Sequence, residues 1–362
     1  MFQIFLSIVI CSSAGQPAVL SESVFPYTND FAVTVEGDAI YISGDGELFR
    51  VDPDNPQAAA ELEVDWNGQL GNWEGPGALF NLCGSPDGEL ICFTARVMVP
   101  ESFLADSNEY IPSPLLVVLC RPDGSEPEVL GLTFDAGGGP AFAFTTDSRF
   151  VYGSPWLECQ PTPESYVRYI RGNGENLLEP WLRVNVATGE RSGDPNVLGD
   201  GFTSNPYSDL VATGAYPPNR IADVVSGETL LESTGVQAGS IIETWVLPGA
   251  GLARDSLDRQ VLRRSDGTES VNPGEPYEVY CRLPDGRYLF SRDAGQTVMA
   301  GTINWDDFTP SGAVELPSLS GMLDTYTCIK PLPSQDTGDE ETGVAFRSGV
   351  SLYHCAVPAA DG

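Results

Sequence analysis

A chain of 362 residues is long enough for one large all-β domain or two ordinary ones, and its 39 glycines and 29 prolines, spread along the length, divide it into short segments joined by turns. Eighteen basic residues against 51 acidic ones leave a net charge of −33, with Lys330 the only lysine, which speaks against nucleic-acid partners and anionic membranes. His354 is the only histidine and there is no Cys-x-x-Cys, which speaks against a His-based zinc site and Ser-His-Asp catalysis.

The first fourteen residues, MFQIFLSIVICSSA, set an apolar stretch from Phe2 to Ile10 before small residues, the pattern of a cleaved secretory signal. A secreted or periplasmic location is the expectation. No later stretch approaches the length of a membrane span. Removal of the signal leaves seven cysteines, an odd number that cannot all pair. The chain has no Asn-x-Ser/Thr sequon, which favours a bacterial exported protein.

Residues 19–27, VLSESVFPY, read as an isolated extended segment, and a repeat begins after them. NLCGSPDGELICF (81–93) aligns with VYCRLPDGRYLFS (279–291), with weaker copies in EGDAIYISG (36–44), TTDSRFVYG (145–153), SNPYSDLVATG (204–214) and TYTCIKP (325–331) followed by GVAFRSG (343–349). Each copy is a strand, a tight turn and a second strand. A second hairpin follows in most copies, as in ELFRVDPDNP and WLRVNVATGER. Two hairpins per unit make a four-stranded blade, so the expected fold is a closed all-β propeller, one domain over 19–358. Blades fall near 31–65, 78–133, 139–198, 201–235, 238–273, 277–318 and 322–358, which counts seven and leaves six or eight as alternatives. The last copy lacks an outer strand. The 19–27 segment can supply it, closing the ring and hiding edges that would otherwise invite aggregation, and the closed ring is expected to be a monomer.

The Pro-Asp-Gly turns in GSPDGELICF and LPDGRYLFSRD resemble the repeat of TolB-type propellers. That resemblance implies the propeller fold and a habit of protein or ligand binding. SRDAGQTV (291–298) resembles the Asp box of sialidase-type propellers. It stands between a second and a third strand, away from the box's usual place, and reads as a turn.

A Pro-Asp-Gly bulged hairpin pairs Ser85 with Glu89 and Cys83 with Ile91, which puts Cys92 on the face opposite Cys83 and argues against a bridge between them. The cysteines then read as small buried hydrophobes, with Cys159, in a long loop, the one to watch. Long insertions occupy 97–114 and 154–180, and the connection 64–77 should meet them on one propeller face. Trp66, Trp73, Tyr110, Trp156, Tyr166 and Tyr169 offer stacking surface there, beside Glu74, Glu101, Asp106, Glu158 and Arg168, unless the aromatics serve only to pack the loops down. The expected function is therefore a non-enzymatic binding propeller that presents its blade 1–3 face to a protein or glycan. The alternative is a sialidase-like glycoside hydrolase or lyase using carboxylates such as Glu158 or Glu101 on that face. Acidic turns raise a further expectation, a Ca2+ site at Asp52, Asp54 and Asn55, because hard cations take clustered oxygen ligands.

Overall fold

The structure, a computed structural model, describes residues 18–21, 31–43, 45–53, 55–66, 68–104, 111–133, 141–154, 156–157, 159–173, 182–193, 202–213, 220–232, 241–293, 295–323, 328–331, 342–348 and 351–358. The signal segment 1–14 lies outside these residues.

Strand β1 (Ala18–Ser21) precedes blade 1, which comprises β2 (Ala32–Val33), β3 (Ala39–Ile42), β4 (Leu48–Val51) and β5 (Ala60–Glu61). Blade 2 holds β6 (Leu79–Gly84), β7 (Ile91–Arg96), β8 (Leu115–Cys120) and β9 (Glu128–Thr133). Blade 3 holds β10 (Ala141–Phe144), β11 (Phe150–Ser154), β12 (Leu182–Asn185) and β13 (Arg191–Ser192), with helix α1 (Pro163–Asn173) between β11 and β12. Blade 4 is β14 (Phe202–Ser204), β15 (Leu210–Thr213), β16 (Arg220–Asp223) and β17 (Thr229–Glu232). Blade 5 is β18 (Thr244–Leu247), β19 (Ala250–Arg254), β20 (Gln260–Arg264) and β21 (Glu269–Val271). Blade 6 is β22 (Glu278–Arg282), β23 (Tyr288–Ser291), β24 (Met299–Asn304) and β25 (Thr309–Glu315). Blade 7 takes β26 (Cys328–Pro331), β27 (Thr342–Ser348) and β28 (Ser351–Val357), and β1 pairs with β28 as its fourth strand.

Seven four-stranded antiparallel sheets in sequence order make a seven-bladed β-propeller, as the repeat predicts. First strands of neighbouring blades touch, β2 with β6, β6 with β10, β18 with β22 and β22 with β26, so they line the axis. Each blade is covered on both faces by its neighbours, and the second strands are accordingly buried on both sides: every residue of β3, β15 and β23 is buried. The core is a series of inter-blade layers, such as Leu289, Val298, Ala300, Val344 and Phe346 between blades 6 and 7.

The turns joining first to second strands also touch from blade to blade. The Asp87 N–H donates to Ser148 Oγ at 3.3 Å, the Thr146 N–H to Asp209 Oδ1 at 2.7 Å, and Asn205 Nδ2 to the Pro248 carbonyl at 2.9 Å. Across blade 5, the Arg282 N–H donates to Tyr207 Oη at 3.1 Å. Gly88 has φ +71°, and a Cβ there would lie 2.4 Å from the Val35 nitrogen, so only glycine lets this turn sit against blade 1.

One sequence expectation needs correction. In blade 2 the turn is one residue wider than predicted: the Ser85 N–H donates to Leu90 O, and Cys83 pairs with Cys92 rather than Ile91. In this wider turn the Ser85 hydroxyl accepts the Leu90 N–H at 2.9 Å and donates to Asp87 Oδ1 at 2.6 Å, taking the place of a backbone partner. In blade 6 the narrower pairing holds, with the Leu283 N–H on Arg287 O, and in blade 1 likewise, with the Thr34 N–H on Asp38 O. One α-helix, α1, lies within the otherwise all-β architecture.

Candidate functional site

Three segments distant in sequence build one raised structure over blades 1–3. The connection 64–77 is tied to the 97–114 insertion by reciprocal backbone bonds, Glu74 N–H to Met98 O at 3.1 Å and Met98 N–H to Glu74 O at 2.8 Å. It is tied to the 154–180 insertion by the Trp73 indole N–H, which donates to the Pro161 carbonyl at 2.9 Å. The two insertions are joined by the Tyr166 hydroxyl, which donates to Pro112 O at 2.8 Å, and by Arg171, which donates to Phe103 O at 3.3 Å.

Helix α1 starts where local chemistry allows it. Thr162 Oγ1 accepts the Ser165 N–H at 3.3 Å and Pro163 takes the first helical position, where its missing N–H costs nothing. Tyr166, Val167 and Ile170 then face inward. Tyr166 packs on Trp73 with ring centroids 5.9 Å apart, and both join a core cluster with Leu157, Phe93 and Val97. The cap is thus continuous with the hydrophobic core of blade 2.

The predicted site residues divide accordingly. Trp73 is 7% exposed, Trp156 0% and Tyr166 1%, so these three hold the cap down and offer no face to a ligand. Trp156 stands edge-on to Phe142 at 5.2 Å, and its Cζ3 would be 2.9 Å from a Cβ at Gly131. Trp66 is half-buried, edge-on to Phe93 at 6.4 Å, and Tyr169 is half-buried against the same cluster. Glu74, Glu101 and Arg168 are exposed, Arg168 within 2.8 Å of Glu164 on its own helix. Tyr110, Asp106 and Glu158 lie outside the described residues. What sequence reasoning missed is Met98, 53% exposed, which sits in the bridge with Glu74 on the outer side of the cap.

The Cys159 thiol is half-buried, and burial pushes its pKa up to about 11 against the lowering influence of Arg191, so it is protonated at neutral pH and not an activated nucleophile. Of the calcium residues, Asp52 and Asn55 are exposed in one turn, Asn55 N–H donating to Asp52 O at 3.0 Å, and Asp54 lies outside the described residues. Among the described residues no three metal-ligating side chains converge. The Asp-box-like stretch is a turn between β23 and β24: Ser291 Oγ accepts the Gly295 N–H at 2.8 Å and Asp293 Oδ1 the Thr297 N–H at 2.7 Å. Those bonds from Thr297 hold the Asp293 carboxyl below its ordinary range.

No family model matches the chain, and no curated protein matches it. Solved structures do. An oligogalacturonate lyase from Vibrio parahaemolyticus is similar with a TM-score of 0.51 at 13% identity, over 94% of this chain and 93% of that one. U3-55K is similar with a TM-score of 0.51 at 11% identity, over 95% and 99%. The WD40 domain of Toxoplasma gondii coronin gives 0.49 at 9% identity, over 94% and 86%. At such identities the likeness is one of fold. Fold and site together define a seven-bladed β-propeller with one elaborated face. No helix among the described residues is long and apolar enough to cross a membrane.

Proposed function

We propose that the chain is an exported binding propeller whose cap over blades 1–3 seats a protein partner. The observation that supports this reading is the construction of the cap. Ordering long insertions costs conformational entropy, roughly 1–2 kcal/mol per residue for the backbone alone. Among the described residues that cost is offset by two buried aromatic donors, Trp73 and Tyr166, and by a shared apolar core, which tie the three segments together before any partner arrives. These segments leave Met98 exposed beside Glu74 and Trp66 half-buried, and Glu101 and Arg168 are exposed on them too, so apolar and charged side chains are both offered to a partner, as in protein interfaces. The strongly acidic balance of the chain favours a partner of basic character.

The purified chain is used to capture partners from the native envelope or medium, alongside a variant carrying Met98→Asp and Trp66→Ala. Loss of about tenfold in affinity for the captured partner, worth about 1.4 kcal/mol, is expected of the variant. Equal capture by both proteins defeats the reading. A screen against glycosides and acidic polysaccharides tests the enzymatic alternative, which gains ground if turnover is found and is abolished by Glu101→Gln.

A further inference from the structure

Cys83 on β6 and Cys92 on β7 are direct Cα partners in the antiparallel ladder of blade 2. Because the Ser85 N–H donates to Leu90 O, Ser85 and Leu90 form a hydrogen-bonded pair. Such pairs alternate along an antiparallel ladder, which makes Cys83 and Cys92 a hydrogen-bonded pair as well, with Cα atoms about 5.5 Å apart. A disulfide spans that distance. Both side chains lie on one side of the sheet, in the layer shared with Phe142, Phe144 and Val151 of blade 3, and both are thiols in this structure. No other described cysteines face each other in register: Cys120 lies opposite Ile91, Cys281 opposite Leu289 and Cys355 opposite Val344.

We propose that Cys83 and Cys92 are a dithiol–disulfide site, joined by a bridge when the chain folds in the presence of a small-molecule or protein disulfide. The Cys83 thiolate attacks one sulfur of the external disulfide, forming a mixed disulfide and releasing one thiolate. The Cys92 sulfur, its proton passed to solvent, then attacks the Cys83 sulfur and releases the second. Two electrons pass from the cysteine pair to the external disulfide, and the two protons end on the released thiols.

The timing follows from burial. In the folded protein Cys83 is 7% and Cys92 0% exposed, and the neighbouring Cys83 together with burial pushes the Cys92 thiol well above its ordinary pKa. The nucleophilic thiolate is scarce there, and an external disulfide cannot reach it. Exchange therefore belongs to the stage at which the β6–β7 hairpin has formed but blade 3 has not yet covered it, or to openings of that interface.

The full chain, unfolded in denaturant with reduced thiols, is refolded in a mixture of reduced and oxidised glutathione, alkylated and mapped without reduction. The expected result is a linked peptide pair holding Cys83 and Cys92, two hydrogens lighter than the separate peptides, with Cys120, Cys281 and Cys355 alkylated. The same buffer added to the already folded, reduced chain should form the link more slowly. Refolded chain with Cys83 and Cys92 both alkylated, or with either linked to another cysteine, overturns the proposal. A melting temperature higher after oxidative than after reductive refolding is expected of the native sequence and not of Cys83→Ala. A similar rise in that variant also overturns it, and the peptide map stands even where the variant fails to fold.

Discussion

The Ser85 hydroxyl works on three partners within one turn: it accepts the Leu90 N–H, donates to Asp87 Oδ1 and lies 3.1 Å from Leu90 O. Thr145 does the same in blade 3, accepting the Phe150 N–H at 3.1 Å and donating to Asp147 Oδ1 at 2.7 Å. Ser85→Ala leaves the Leu90 N–H without its partner, and a loss of about 1–3 kcal/mol is expected from urea unfolding. Burial pushes the Asp87 carboxyl up, but hydrogen bonds from Ser85, the Glu89 N–H and Ser148 outweigh it and hold the folded pKa below its ordinary value. The charged form is thus favoured by folding. Its contribution is present in full above the unfolded carboxylate value of about 4, is lost as pH falls through the lower folded value, and is absent below both. Stability of the native chain minus that of Asp87→Asn, measured by denaturant titration at stepped pH, should be flat above about pH 5 and shrink below it.

At the scale of elements, the cap depends on contacts made between segments rather than within them. Trp73 gives one hydrogen bond to the 154–180 insertion and one ring face to α1. Trp73→Ala is expected to cost about 3–5 kcal/mol locally, as for other buried aromatics. Because the blades beneath keep their own ladders, the far-UV circular dichroism of the strands should hardly change while limited proteolysis between residues 160 and 173 speeds up. Unchanged cleavage would show that Trp73 does not hold the cap. Tyr166→Phe, which removes the bond to Pro112 O and keeps the ring, should have a smaller effect in the same assay, about 1 kcal/mol.

For the whole molecule, the seam between chain ends is the decisive contact. β1 pairs with β28 through Ala18–His354, Val19–Tyr353 and Ser21–Leu352, so the fourth strand of blade 7 comes from a segment more than three hundred residues earlier. Removing the chain through Ser21 uncovers the backbone donors and acceptors along β28 and leaves an open strand edge. The expected outcome is a lower melting temperature and concentration-dependent association, seen by light scattering. A truncated chain that stays monomeric with an unchanged melting temperature would contradict closure by β1.

What the amino-acid sequence determined by itself was the blade plan. Alternating strands and turn residues at regular spacing act locally, so the two strands of LPDGRYLF pair as their turn chemistry demands, and copies of that unit have no stable arrangement except side by side. The strand before the first blade was legible for the same reason, since the last copy was one strand short. Helix α1 had its start signal in Thr162-Pro163, but an eleven-residue helix with three inward side chains gains its stability from the surface it covers, and that surface belongs to blade 2 and the 64–77 connection. Burial was hidden likewise. Trp66 and Trp73 look alike in sequence, and only the arrival of Pro161 and Tyr166 from another blade encloses one and leaves the other partly open. The pairing of Cys83 with Cys92 follows from a turn one residue wider than a bulged hairpin, in which the Leu90 N–H is taken by the Ser85 hydroxyl, a detail of the three-dimensional turn that the pattern of apolar residues does not register.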